Sequence, residues 1–437
     1  MTMRTECDLL IVGGGLTGLV AAWRAQRAGL KTVLVAQGAG SLPFTSGALD
    51  LLAVYPTETK RYRESPWEAL SELVEREPAH PYGRLGLRRV RAAVEEFLPY
   101  MEAGPLAYYR RGELNMAIVT GAGTIKPTYA VSASMKNNRL AWNRRRPTLI
   151  LGFEGFPDFS PEQVVGNLQD RWVGLRAARL DRSVFSGSLR RLTLAHLAAE
   201  FERTEFRDRF AGAVKPLLGR SRFLGLPAVL GFESVTDICR DLEEKLGAAV
   251  FEIPLLTPSL PGMRMADMLK RDLLAAGVDC RQGAPVGRLD REGKKITAAH
   301  RSGKTREEEI LAGHVILATG RFFGGGLEAG RQGVREVLLG LPVEAPSDRD
   351  NWHMASFLGA PGHPINRVGV KVDPSLRPLG TDGQPLYENL FAAGALLAGH
   401  DWVREKSGAG ICLATGHAAV ESVIAQRCRA VPAGGKP

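Results

Sequence analysis

Three glycines near the N-terminus constrain this chain more than any other feature. Residues 8–18 read Asp-Leu-Leu-Ile-Val-Gly-Gly-Gly-Leu-Thr-Gly, so the run from Asp8 to Val12, suited to a buried parallel strand, turns through Gly13-x-Gly15-x-x-Gly18 into a helix. Gly13 permits the tight turn, Gly15 lets a phosphate or pyrophosphate reach the backbone, and Gly18 lets the helix lie close on the strand. Gly14 and Thr17 complete the turn, and Leu16, Leu19, Val20 and Trp23 then recur at helical spacing until Gly29 stops them. Lys31 to Val35 supplies a second strand. Unpaired N–H groups at the helix start, at the positive end of its dipole, favour a bound anion. A strand-helix-strand unit with this turn points to a bound nucleotide or flavin.

One expected piece is missing. A dinucleotide site places Asp or Glu at the end of the second strand to hold the adenosine ribose, whereas this chain has Ala36-Gln37-Gly38. Either Gln37 does that work more weakly, or there is no adenosine half to hold.

At about 150 residues per domain, 437 residues make two or three domains. Hydrophobic residues at 44% and charged residues at 24% are enough for a large core and exclude a disordered or fibrous chain. No apolar run reads as the roughly 18 residues that cross a bilayer, so no transmembrane segment is expected. The first apolar run flows straight into the glycine turn, which excludes a secretory signal and points to a cytoplasmic protein. Cys7, Cys239, Cys280, Cys412 and Cys428 are far apart, so no disulfide framework, iron–sulfur cluster or other metal site is expected. The surplus of 57 basic over 47 acidic residues, +10, suits an anionic substrate, an acidic partner or an anionic surface, and equally a solvated arginine-rich face. No nucleic-acid module accompanies it.

Further along, Thr45, Ser46 and Gly47 open a small-residue loop suited to lie against a ring edge. Residues 57–105 are charged and helical in pattern, broken by the proline bracket around His80. From 106 to 260 the chain leaves the nucleotide fold for an inserted α/β domain, with strands at 148–151 and 223–230, helices at 161–170 and 233–246, and a basic cluster of Arg139, Arg144, Arg145 and Arg146. A helix over 264–276 follows, then a meander over 278–310 with turns at Arg291-Glu292-Gly293 and Arg301-Ser302-Gly303-Lys304.

Two more signatures close the chain. His314 to Gly320 is an apolar strand ending in Ala318-Thr319-Gly320, and Asn389 to Gly394 is another ending in glycine, followed by Ser407-Gly408-Ala409-Gly410 at the start of a helix over 411–426. That helix start can stabilise negative charge on a reduced flavin. The three together specify an α/β FAD/NAD(P)-binding, Rossmann-like flavoprotein fold of the two-dinucleotide-binding-domain type with an inserted α/β cap. The expected limits are 1–105, 106–260 and 261–430, with Val431 to Pro437 as a flexible tail.

Specific strings go further: Thr45 to Leu52, Pro78-Ala79-His80-Pro81-Tyr82, Gly320-Arg321-Phe322-Phe323-Gly324-Gly325-Gly326-Leu327, Gly333 to Leu341, Val372 to Pro378, and Asn389 to Gly394. In these, and over residues 1–425 more loosely, the chain resembles the B subunit of anaerobic glycerol-3-phosphate dehydrogenase. The resemblance is weakest over 106–260. It implies flavin-dependent oxidation of sn-glycerol 3-phosphate to dihydroxyacetone phosphate, with electrons passed towards quinone and then fumarate or nitrate. It also implies FMN as cofactor, with FAD the alternative, an FAD-containing A subunit, and an iron–sulfur, membrane-associated C subunit holding this chain on the inner face of the cell membrane. One departure is Glu405-Lys406-Ser407, where the family commonly shows a cysteine before the glycines.

Two other functions remain open on the residues alone: a relay or scaffolding subunit without catalysis, and a stand-alone FAD oxidoreductase of another substrate. Among eight histidines, His400 lies between Gly394 and the Gly408–Gly410 helix start, where a base is wanted. Its ordinary pKa of about 6.5 suits it to take a hydroxyl proton.

Overall fold

The computed structural model describes residues 3–185, 191–302, 307–357, 359 and 361–430. The proposed tail, 431–437, and the Gly303-Lys304 half of one turn lie outside these. The chain forms two compact units, one from the segments up to Ser41, Leu51–Phe97 and Ala266 onward, the other from Leu42–Asp50 and Leu98–Met265. Two divisions fall within continuous helices, Leu87–Ala103 and Leu260–Ala275, and so differ by several residues from the limits read off the sequence.

The first unit is built on a seven-stranded sheet. Its strands are β1 (Met3–Val12), β2 (Thr32–Ala36), β3 (Asp279–Gln282), β4 (Val286–Glu292), β5 (Lys295–Ser302), β6 (Glu307–Leu317) and β7 (Leu390–Ala392). β3, β2, β1, β6 and β7 run parallel in that order, and β4 and β5 continue antiparallel from β6. The expectation of one meander over 278–310 is corrected at its start: β3 pairs with β2 instead, Asp279 opposite Val33. Leu9, Leu10 and Ile11 are wholly buried, as a strand covered on both faces requires.

Register decides what the sheet can do. Val12 lies opposite both Val35 and Leu317, and Leu317 lies opposite Ala392, so four strands end in one row. Gly13 donates to the Val35 carbonyl at 2.8 Å, Ala318 to Val12 at 2.8 Å, and Ala393 to Leu317 at 3.0 Å. The segments that follow therefore leave from one edge, the carboxyl end of a parallel sheet, where open α/β folds bind ligands.

Against this sheet packs α1 (Leu16–Arg27), and α2 (Gly408–Ala430) packs along α1. Gly416 lets them touch: a Cβ there would sit 2.7 Å from the Thr17 carbonyl oxygen. Among the described helices, residues 408–429 are long and apolar enough to cross a membrane by length and composition, where the sequence reading expects glycine or charge to break every such run. Since 61% of that stretch is buried inside the protein, its apolar character is accounted for by the core.

The second unit holds a four-stranded parallel sheet in the order Ala249–Ile253, Phe223–Pro227, Thr148–Phe153, Leu175–Leu180. Phe153, Phe185, Phe201, Phe206 and Phe210 interlock edge-on or stacked beside it. A sealed ion pair completes that core. Arg264 grips Glu252 through two bonds of 2.6 and 2.9 Å, and the same carboxylate accepts from Ser134 and from the Leu230 N–H.

Candidate functional site

The glycine turn has the stereochemistry its sequence demands. Gly13 sits at φ +125°, and a Cβ on it would strike the Ala318 carbonyl oxygen at 2.1 Å; one on Gly18 would lie 1.8 Å from the Gly13 oxygen. Gly15 begins α1 with no side-chain cap and has open space where a Cβ would be. The first-turn N–H groups are thus left for an outside anion. Gly14 is covered by Ala36 and the Gly38 carbonyl, and Gln37, at the end of β2, is exposed.

Thr17 points inward: its hydroxyl lies 2.1 Å from where a Gly394 Cβ would be, so any side chain at 394 would collide with this threonine. On the neighbouring strand end, Thr319 and Gly320 are wrapped by the Gly324–Gly326 loop, and the Thr319 hydroxyl is buried without a partner. Such an orphaned oxygen, on the strand end that meets Gly13 of the glycine turn, fits a polar cofactor at this edge. Thr45, Ser46 and Gly47 belong to the second unit. There Thr45 bonds back to the Leu42 carbonyl at 3.0 Å, the Thr45 and Ser46 hydroxyls cap following N–H groups, and Tyr108 donates to the Gly47 carbonyl.

His400 is completely buried. Its ring nitrogens lie 3.4 and 3.5 Å from one nitrogen of Arg321, whose guanidinium also donates to the carbonyls of Ala395, Asn366 and Leu397. Burial, and then the Arg321 charge, push the histidine well below its usual range, so the imidazole is neutral. Burial likewise brings Arg321 down to about 10, with Asp401 and Glu405 opposing.

Glu405 ties this cluster together. Its carboxylate accepts from the Asp401 N–H at 2.7 Å and the Ser407 hydroxyl at 2.7 Å, and meets His80 Nε2 at 3.3 Å. The other ring nitrogen of His80 accepts the Tyr82 N–H at 3.1 Å, which leaves the proton on Nε2, facing Glu405. Burial drives the Glu405 carboxyl up, but His80 and the Ser407 hydroxyl overcome it and hold the pKa at about 2. Tyr82 then bonds the Leu51 carbonyl at 2.7 Å and fills the space beside Gly410, where a Cβ would lie 2.2 Å from its hydroxyl. Gly408 and Ala409 are half-buried at the start of α2, and a Cβ on Gly408 would meet Trp402. The proline bracket is thus a strut under the helix start, with His80 capping the short helix Pro81–Leu85.

Comparison with known proteins fits this arrangement. The FAD binding domain family matches residues 8–411. A protein of Halobacterium salinarum, named as the probable B subunit of anaerobic glycerol-3-phosphate dehydrogenase, is 32% identical, over 95% of this chain and 97% of its own length. The B subunit of the same dehydrogenase from Vibrio cholerae is 30% identical over 96% of each. The chain belongs to the family of anaerobic glycerol-3-phosphate dehydrogenase B subunits. In this B-subunit chain the cofactor is a flavin, and the fold is the flavoprotein one. Among solved structures, 3-ketosteroid delta1-dehydrogenase from Sterolibacterium denitrificans aligns over 97% of this chain and all of its own, at 14% identity and a TM-score of 0.45, a likeness too loose to argue from.

The basic run of the second unit gathers no common site. Arg139 bonds the Tyr109 hydroxyl, Arg145 stacks on Trp142 at 3.4 Å, and Arg144 and Arg146 are exposed. Among the described residues no three His, Cys, Asp or Glu side chains gather to hold a metal. Arg321 and Glu405 escaped the sequence reading as functional residues. Arg321 follows directly on the Ala318-Thr319-Gly320 signature, whereas Glu405 sits between Arg404 and Lys406, where nothing local marks it.

Proposed function

We propose that this chain is the flavin-bearing subunit that oxidises sn-glycerol 3-phosphate to dihydroxyacetone phosphate within an anaerobic dehydrogenase complex. The carrying observation is its near full-length likeness to proteins named for that dehydrogenase. The flavin supplies a two-electron acceptor for the C2 hydride. FMN is the form we favour, its phosphate at the amides that follow Gly13, Gly14 and Gly15, because exposed Gln37 stands where a ribose carboxylate would be. Thr319, Gly320, Gly394 and the Gly408-Ala409-Gly410 helix start would line the cofactor at the strand ends, with Thr17 and Gly18 setting the pitch of α1.

His400 takes the C2 hydroxyl proton in this reading. The imidazole is neutral, as an acceptor must be, and burial beside Arg321 also makes it a weaker base than a free histidine, so Arg321 must give way as the proton is taken. The electrons pass to quinone through an iron–sulfur C subunit, alongside an FAD-containing A subunit, and these partners hold the chain at the inner face of the cell membrane. The free cysteines of this chain give clusters no ligand set of their own.

Anaerobic mixing of the purified protein with glycerol 3-phosphate tests the proposal. The flavin should bleach, and His400→Asn should slow bleaching by on the order of a hundredfold with full flavin content. No bleaching by the wild type would make the chain a relay or scaffold beside a catalytic FAD partner. Release of stoichiometric FAD would replace FMN, and bleaching by a different alcohol alone would mean another oxidoreductase. Purification from cells under gentle conditions should bring down the FAD-containing and iron–sulfur partners.

A further inference from the structure

Away from the strand ends, the first unit has a groove of about 610 Å3 between the helix Leu87–Ala103, the loop 373–377 and the later turns of α2. Its charge is one-sided. Arg88, Arg89, Arg377 and Arg429 line it, against a single carboxylate, Glu421. That carboxylate is already taken, 2.6 Å from Arg24. Arg377 is likewise committed, to Asp373 at 2.8 Å. The remaining three guanidiniums have no carboxylate partner within 4 Å among the described residues.

Arg89 is held in place. One of its nitrogens donates to the Ala418 carbonyl at 3.0 Å and to Ser422 at 3.3 Å, the other to the Pro374 carbonyl. This fixes a half-buried cation at the groove, while Arg88 and Arg429 stand exposed beside it. Burial pulls the Arg89 pKa down, with Arg88 adding to the shift and Glu421 and Asp373 opposing it. Guanidinium groups pair with phosphoryl oxygens through parallel N–H bonds, and the groove has the volume of a small-molecule site rather than of a lone ion.

We propose that this groove binds a phosphate ester, Arg88 and Arg429 gripping its phosphoryl group and Arg89 serving as the fixed cation. The ester is either soluble or the headgroup of an anionic lipid. Neither source depends on the reaction assigned above.

Flavin-loaded full-length protein distinguishes them in about 0.15 M salt. Pyrophosphate is titrated calorimetrically in one arm, and vesicles of phosphatidylglycerol mixed with phosphatidylcholine are sedimented with the protein in the other. Binding of pyrophosphate alone identifies a soluble ester, and binding of the anionic vesicles but not of pure phosphatidylcholine identifies a headgroup. In either case the double variant Arg88→Ala, Arg429→Ala should bind at least tenfold more weakly, with flavin content and melting temperature unchanged. Arg144→Ala with Arg146→Ala, which removes equal charge elsewhere, should bind as the wild type does. The proposal is overturned if neither probe binds, if the groove variant still binds normally, or if the two double variants lose binding equally.

Discussion

With its imidazole sealed from water and a guanidinium nitrogen 3.4 Å away, His400 resists the proton that a free histidine accepts. The unfolded chain protonates there below its ordinary 6.5 while the folded chain does not. Folded stability contributed at this residue is therefore complete above that pH and is lost as pH falls, by about 1.4 kcal/mol per unit. Glu405 has the same sign lower down, full above its ordinary 4.5 and lost as pH falls toward about 2. Melting temperature should thus drop between about pH 7 and pH 5, and His400→Asn should flatten that drop. Parallel melting profiles for the two proteins would show that another group carries the dependence. Sequence reading reached His400 through its place between two signatures. It gave Arg321 and Glu405 no role because their partners are distant in the chain: His400 is 79 residues from Arg321, and His80 is 325 from Glu405. A buried network of this kind leaves no periodicity behind.

Single methyl groups separate the two duties of the α1 start. Gly18→Ala would push a carbon against the Gly13 backbone oxygen, which cannot swing aside, and should destabilise the protein by about 1–3 kcal/mol or more through lifting the helix off β1. Gly15→Ala meets nothing within 4 Å and should leave the flavin-free melting temperature near that of wild type while weakening flavin affinity. Denaturant titration and flavin titration of both variants check this, and equal behaviour would erase the distinction. In the second unit, Arg264→Ala would strand the Glu252 carboxylate in a sealed core and should cost about 3–5 kcal/mol in a denaturant titration. Elements of this kind were legible where apolar spacing was local, as in α1 and at Thr148–Phe153. β3 was misplaced because its neighbour β2 lies some 240 residues earlier, and only register reveals that pairing.

At the scale of the whole molecule, a ligand that binds only the folded state adds stability by mass action, about 2.7 kcal/mol when present at a hundred times its dissociation constant. Flavin-stripped protein should accordingly melt lower and recover on adding FMN at that excess; a melting temperature indifferent to FMN would remove FMN from the strand-end site. The alignment of β1 with β6 pairs Met3 with Glu308 and Val12 with Leu317. A ribosome adding roughly 5–20 residues per second needs on the order of 15–60 s to make β6 after β1 has emerged. Throughout that interval the N-terminal glycine turn has no Ala318 carbonyl to rest against, whereas the strands from Thr148 to Ile253 are all complete before synthesis reaches β6. Nascent chains should therefore gain a protease-resistant second unit first, and capture flavin only near the end of synthesis.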